Sequence, residues 1–290
     1  MPLRDIVLAL IVVLAWGSNF TAMKLALEEV PPLLFVGLRF ALLIPLMLFL
    51  PRPAPWRAVI AVGVTINMGQ FAFMFQAMEA NVTAGLASLL IQAQVPFTIA
   101  LAAVFYREAV NRMQIAGIAL AVAGLSVFGL SQGGNVTVWG LTLMLCGALC
   151  WACGNLVLRR LPGVNMMALF VWASLVPPLP MLGLSLALEG SAPVATIAAM
   201  SLGGWLSVLY VTVVSTLLGY ALWGTLLSRH PAALVTPFAL LIPVVGLATA
   251  AVILGERVTW IEAAGIVVVL SGLALAVQGG RRSRMTRARA

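Results

Sequence analysis

Of 290 residues, 63% are apolar and only 8% are charged, with a mean hydropathy of +1.12. Soluble domains carry about 25% charged residues, so no water-facing globule can hide this much apolar surface and the composition confines the chain to a bilayer. The net charge of +8 fits either anionic lipid headgroups or a nucleic-acid face, and the layout of the basic residues has to separate the two.

A bilayer core of about 30 Å needs about 20 apolar residues per spanning helix. Windows of that length predict ten spans, at 6–26, 33–50, 58–77, 84–105, 113–130, 138–158, 166–188, 203–227, 232–254 and 260–277. The expected fold class is therefore all-α integral membrane, with no separate soluble domain. The first span is apolar and begins near Arg4, as a secretory signal does. Its length, its internal polar residues and the acidic pair Glu28 and Glu29 after it instead identify a retained helix.

Basic residues alternate between loops. With a cytoplasmic N-terminus, Arg4, Arg52, Arg57, Arg107, Arg112, Arg159, Arg160 and Arg229 fall inside, as do tail residues Arg281, Arg282, Arg284, Arg287 and Arg289. Only Arg257 lies clearly in an outer loop. This is the positive-inside pattern, and an even span count places both termini in the cytoplasm. The arginines are dispersed over short loops rather than gathered on one face, so lipid is the expected partner and nucleic acid is not.

The chain repeats itself. Residues 84–117 carry a proline inside an apolar run, then a glutamate, then an Ala-Gly pair, and residues 232–265 carry the same order. Pro96 matches Pro243, Glu108 matches Glu256 and Gly117 matches Gly265, while earlier in each copy Trp16 matches Trp151 and Lys24 matches Arg159. Five spans per copy is an odd number, so the second copy enters the membrane from the other side. The expected organisation is a first five-helix repeat at 1–132, an inverted second repeat at 133–280, and a basic cytoplasmic tail at 281–290.

The stretches WGSNFTAMK, LRF, the paired proline-to-glutamate segments and the endings AGIALAVAGLSV and AGIVVVLSGLAL resemble the EamA family of the drug/metabolite transporter superfamily. Within it the chain is most similar to bacterial amino-acid exporters of the YddG type. The resemblance covers both copies and implies ten helices in two inverted halves around a central cavity. That cavity would be lined mainly by the third, fourth, eighth and ninth spans, with contributions from the first, second, sixth and seventh. It also implies a small-molecule substrate, amino acids first and drugs or other hydrophobic or cationic metabolites as the alternative, and a bacterial inner-membrane location.

The residues themselves point to the same region. Pro96 and Pro243 fall near mid-bilayer, where each frees the carbonyl four residues earlier, at Gln92 or Ala239; they are candidate hinges, or kinks in packed helices. Asn67, Gln70, Ser88, Gln92, Gln94, Tyr210, Thr212, Ser215, Thr216 and Tyr220 lie at similar depth. Hydrocarbon cannot satisfy such groups, so they bond between helices or face a wet chamber, with Met68, Phe71, Phe73 and Met74 as adaptable walls. Trp16 and Asn19, with Trp151 and Asn155, form a second symmetric set, and Trp172 lies near the Pro177, Pro178, Pro180 break. The candidate binding residues are Trp16, Asn19, Arg39, Asn67, Gln70, Phe71, Ser88, Gln92, Gln94, Tyr210, Ser215 and Tyr220.

Arg39 sits well inside its span, where a cation must snorkel, pair or face water. It either attracts a carboxylate-bearing cargo or bonds backbone carbonyls or an outer glutamate. Lys24 and Glu28, at i and i+4, suggest a local pair. No Asp or Glu falls at mid-depth and the sole histidine, His230, sits in an inner turn beside Pro231. Facilitated movement is therefore expected, with proton antiport as the runner-up.

Other chemistries lack their parts. Lys24 is the only lysine and closes no Gly-rich phosphate loop, so no ATP hydrolysis is expected. An intramembrane hydrolase would need a nucleophile with a base, and a channel would not need inverted repeats. Cys146, Cys150 and Cys153 share one side of the sixth span, which suits packing better than a metal. No enzyme activity, metal or cofactor is expected. Gly117 and Gly124, matched by Gly265 and Gly272, assign the fifth and tenth spans to scaffolding, in a monomer or homodimer.

Overall fold

The computed structural model describes residues 1–130, 136–190, 192–230 and 232–289. The predicted junction between repeats at 132/133 and Pro231 lie outside them, as do the side chains of the tail arginines. The described apolar helices, in order, are α1 (Leu3–Leu27), α2 (Pro32–Phe49), α3 (Trp56–Glu79), α4 (Ala84–Tyr106), α5 (Arg112–Phe128), α6 (Val138–Arg159), α7, α8 (Leu202–Arg229), α9 (Pro237–Leu254) and α10 (Trp260–Gly279). Eight of these are long and apolar enough to cross a bilayer; α5 is shorter, and α7 is the pair Met166–Ala173 and Pro178–Glu189, bent by 42°. Large apolar side chains face outward, with Val252 84% and Leu48 82% exposed, as a hydrocarbon solvent requires.

Local chemistry starts several helices. Thr137, Asn165 and Ser201 cap α6, α7 and α8, accepting from the amides of Gly140, Ala168 and Gly204 at 2.9, 3.1 and 3.0 Å. The middles are less regular, and irregular in matching places. α3 winds as a π-helix over Gly63–Gln70, and α8 does so over Tyr210–Leu218. α4 passes through a 3-10 turn at Ile91–Ala93 before its second half, and α9 passes through one at Thr236–Leu241.

Pro96 and Pro243 occupy the first turn of those second halves, which run over Gln94–Tyr106 and Ile242–Leu254. A first-turn residue has no intrahelical acceptor for its N–H, so proline there costs little. The prolines mark junctions between two helical pieces rather than interruptions of one.

α1 packs on α9, and α4 packs on α6. α5 and α10 lie against each other, and Gly117 and Gly272 make this possible. A Cβ on either would stand 2.7 Å from the other's carbonyl oxygen, so the backbones touch as small-residue membrane contacts do.

Glu256 bonds to the amides of Ala84 and Gly85 at the start of α4, whereas Glu108 follows the end of α4. The matching glutamates thus lie at opposite ends of one span. Asp5, Arg229 and His230 gather at the N-terminal face, where Asp5 Oδ2 lies 2.6 Å from His230 Nε2 and Oδ1 accepts from Arg229 Nη1 at 3.3 Å.

Candidate functional site

A cavity of about 760 Å³ occupies the middle of the bundle. Its deep end is walled by Trp16, Asn19, Met23, Arg39, Gln70, Phe71 and Met74, and it runs past Gln94, Thr98 and Asn155 to Glu108, Gln114 and Arg159 near the N-terminal face. Nine of the twelve candidate residues line it: Trp16, Asn19, Arg39, Gln70, Phe71, Gln92, Gln94, Ser215 and Tyr220.

The opposite end is shut. Phe35 and Phe75 stack there at 4.6 Å, both fully buried, alongside buried Met78. Three glutamates hold helix starts at this end. Glu256 accepts from the Ala84 and Gly85 amides at 2.7 and 2.9 Å. Glu189 accepts from the Leu33 amide at 2.7 Å and from the Ser185 hydroxyl at 2.6 Å. Glu29 accepts from the Ser201 amide and hydroxyl at 2.7 and 2.6 Å. Carboxylates at helix N-termini gain charge-assisted bonds and a favourable dipole. The Ser201 hydroxyl and then its amide hold the Glu29 carboxyl below the usual glutamate range. Lys24 does not pair with Glu28; its ammonium donates to the Met78 carbonyl at 3.2 Å, tying α1 to α3.

Arg39 is 2% exposed. Its Nη2 donates to Thr216 Oγ1 at 2.7 Å, and the Phe71 ring lies 3.9 Å from its guanidinium carbon. Nε and Nη1 have no hydrogen-bond partner. Neither of the structural bonds considered for Arg39, to backbone carbonyls or to an outer glutamate, is its bond here. A buried donor left unmade costs about 1–3 kcal/mol, so the guanidinium is held with unused capacity beside the cavity.

The aromatic wall is built across helices. Trp16 Nε1 donates to the Ser215 carbonyl at 2.9 Å, and its ring meets Tyr220 at 5.5 Å and Trp223 at 5.3 Å. Gly219 allows the approach, because a Cβ there would collide with the indole of Trp16. Tyr220 in turn stacks on Phe170 at 3.9 Å. Near the mouth, Gln94 Oε1 accepts from Asn155 Nδ2 at 2.8 Å, and Asn155 also donates to Thr98 Oγ1 at 3.2 Å. At the rim Glu108 pairs with Arg159.

Three candidates lie outside these walls. Asn67 is fully buried and donates to the Phe170 carbonyl at 3.2 Å. Ser88 donates to the Gly85 carbonyl at 2.6 Å and packs against Gly246. Tyr210 bonds Ser18 Oγ at 2.7 Å. Asn67 and Tyr210 thus take their partners from neighbouring helices, although Asn67 Oδ1 has none; Ser88 bonds within α4 and reaches the Pro243 carbonyl across to α9 only at 3.5 Å. Among the hydrophobic candidates Met74 reaches the cavity while Phe73 is 37% exposed and faces outward. Trp172 bonds the Leu50 carbonyl at 2.9 Å instead. Pro96 and Pro243 are buried beside the cavity, which their neighbours Val95 and Ile242 line.

Sequence reasoning missed Phe20, Met23, Thr98, Phe170 and Trp223. Thr98 was within reach, since it stands one turn after Gln94. Phe170 and Trp223 carry no signal in an apolar run, because lipid and cavity walls select the same residue types. The Cys150 thiol sits where a Cβ at Gly69 would come within 2.9 Å, so it packs α6 on α3.

The comparisons agree with this architecture. The chain is 43% identical to a probable amino-acid metabolite efflux pump of Salmonella typhimurium, covering 99% of each. It is 41% identical to one of Escherichia coli K12, covering 97% of each. A probable terminal-alkyne amino-acid exporter of Streptantibioticus cattleyicolor is 29% identical over 88% of each chain. A solved crystal structure with 18% identity, covering 94% of this chain and 97% of that one, superposes with a TM-score of 0.64 and shows the same fold. The EamA-like transporter family pattern matches twice, over residues 3–130 and 138–278. With that double match spanning a helical bundle around one central cavity, the chain belongs to the EamA-like transporter family, and it is a membrane transporter.

Proposed function

We propose that the protein exports amino acids from the bacterial cytoplasm across the inner membrane by alternating access, without ATP hydrolysis. The observation that carries the reading is Arg39, a buried guanidinium with two unpartnered nitrogens beside a cavity where, among the described residues, it faces no carboxylate at depth. A cargo carboxylate supplies the missing acceptor. The names of the two efflux-pump relatives support the same cargo class. The apolar and aromatic remainder of the wall, from Trp16 to Met74, accepts varied side chains.

In this reading residues 1–132 and 133–280 are the two inverted repeats and 281–290 is the basic tail. Both termini are cytoplasmic, which the positive-inside layout supports, so the cavity faces the cytoplasm, where an exporter collects its cargo. Pro96 and Pro243, at the joints of α4 and α9, are the hinges about which the other face opens. Movement follows the cargo gradient, since Asp5, Glu108 and Glu262 all lie near helix ends rather than at mid-depth.

The test is counterflow in proteoliposomes with labelled amino acids and an aromatic cation. Amino acids exchange, and Arg39→Gln lowers that exchange by about 10- to 100-fold, the range expected for a lost bond between charged groups, with folded yield unchanged. Equal affinity in a well-folded variant removes Arg39 from binding. Exchange of the cation alone replaces amino acids with hydrophobic cations as cargo, and accumulation driven by a pH gradient alone overturns gradient-following movement.

A further inference from the structure

The deep end of the cavity has unused acceptors as well as unused donors. Asn19, 6% exposed on α1, donates through Nδ2 to Met23 Sδ at 3.5 Å, and its carbonyl oxygen has no partner. Gln70, 5% exposed on α3, likewise has an unpartnered Oε1. Both residues line the same cavity as Arg39. The contrast with the mouth is sharp, because there Asn155 and Gln94 satisfy each other. An amide oxygen buried without a donor costs about 1–3 kcal/mol. Asn67 Oδ1 is also unpartnered but lies away from the cavity; the two at Asn19 and Gln70 are distinguished by sharing one cavity wall with Arg39, and together they suit a ligand rich in N–H groups.

We propose that the amide oxygens of Asn19 and Gln70 seat the α-ammonium group of the cargo, so that the site reads both poles of a zwitterion and leaves the side chain unread. The inference rests on the amino-acid reading and adds the second pole to it. A primary ammonium brings three donors and no acceptor, which complements two lone oxygens as a carboxylate complements Arg39.

Neutral acceptors fit this task better than carboxylates would. A buried Asp or Glu would bind ammonium tightly and would resist its release, whereas amide dipoles hold it weakly by themselves and more firmly when Arg39 holds the other pole. The site therefore favours molecules with both charges over those with one. At about 760 Å³ the cavity also leaves room for side chains of many sizes.

Counterflow separates the poles. The probes are leucine and phenylalanine, their N-acetyl derivatives, which keep only the carboxylate, and 3-methylbutylamine and phenethylamine, which keep only the ammonium. Asn19→Leu and Gln70→Met raise the KM for the free amino acids by about tenfold each, in line with a lost charged hydrogen bond, and leave the weak transport of the N-acetyl forms unchanged. Arg39→Gln does the reverse, sparing the amines. Gln70→Glu, which adds a charge without loss of volume, tightens binding of both amines and so guards against a general folding defect. Parallel losses for free and N-acetyl forms, or wild-type transport of N-acetylleucine as fast as leucine, overturn the ammonium seat while leaving amino-acid export standing. Failure of the wild type to move any free amino acid overturns both.

Discussion

Arg107 and Gly255 hold the same place in the two halves, and both are left-handed, with φ of 52° and 67°. Each ends its helix and presents the glutamate that follows. Glu256 reaches the first amides of α4, while Glu108 meets Arg159 at the rim of the cavity. One local motif thus seals one end of the bundle and stands at the open mouth of the other. The difference lies in what the facing half offers, a helix start close by or a cation across a gap. The strained αL geometry falls on a side chain at Arg107 and on glycine at Gly255, where it is free of that cost.

Packing gives the largest expected contrast between the ends. Phe75→Ala removes half of the buried Phe35 stack at the shut end and costs about 3–5 kcal/mol, read as a lowered unfolding temperature in detergent. Phe170→Ala, at a ring already bordering the cavity, costs less because the space it leaves joins existing space. Equal losses would mean that the two ends are packed alike.

The paired glutamates come next. Glu256→Ala leaves two α4 amides without their acceptor, about 1–3 kcal/mol. In a background lacking Cys146, Cys150 and Cys153, a thiol introduced by Ala87→Cys should then react several-fold faster with an impermeant reagent from the shut side. Glu108→Ala should change that rate little, because the ion pair it breaks is partly solvent-exposed and such pairs contribute about 0–1 kcal/mol. A similar gain in both variants would show that neither glutamate distinguishes the ends.

The smallest effect is a titration. The Ser201 bonds depress the folded pKa of Glu29, so its contribution is complete above the ordinary glutamate range and disappears as pH falls through the folded value. Labelling at position 87 should therefore rise only in acid, and Glu29→Gln should flatten that rise. A loosening that instead begins near neutral pH would place the responsible group elsewhere.

Much of this was legible without coordinates. Apolar length marks most of the predicted segments, because a bilayer penalises a shorter or more polar stretch wherever it occurs: eight are long and apolar enough to cross, while α5 is shorter and α7 is bent by 42°. Pro96, Glu108 and Gly117 recur at matching intervals, and the polar cluster of α3 and α8 falls where the cavity is. What failed was the choice within the cluster. Asn67 and Gln70 differ by three positions, less than one turn, yet Gln70 lines the cavity and Asn67 is packed against Phe170. Both lie in the π-helical stretch of α3, where a wider turn rotates side chains off the 3.6-residue period that sequence reading assumes.

By itself, then, the sequence determined a membrane-bound bundle, its repeated pattern and the depth at which polar groups collect, since these follow from hydropathy and spacing along one chain. Only the tertiary structure decided which end is shut, that Arg39 keeps two donors unused, and that Asn19 and Gln70 rather than Asn67 and Ser88 face the space. Those outcomes depend on which distant helix arrives as a neighbour, and a partner more than a hundred residues away leaves no mark on local pattern.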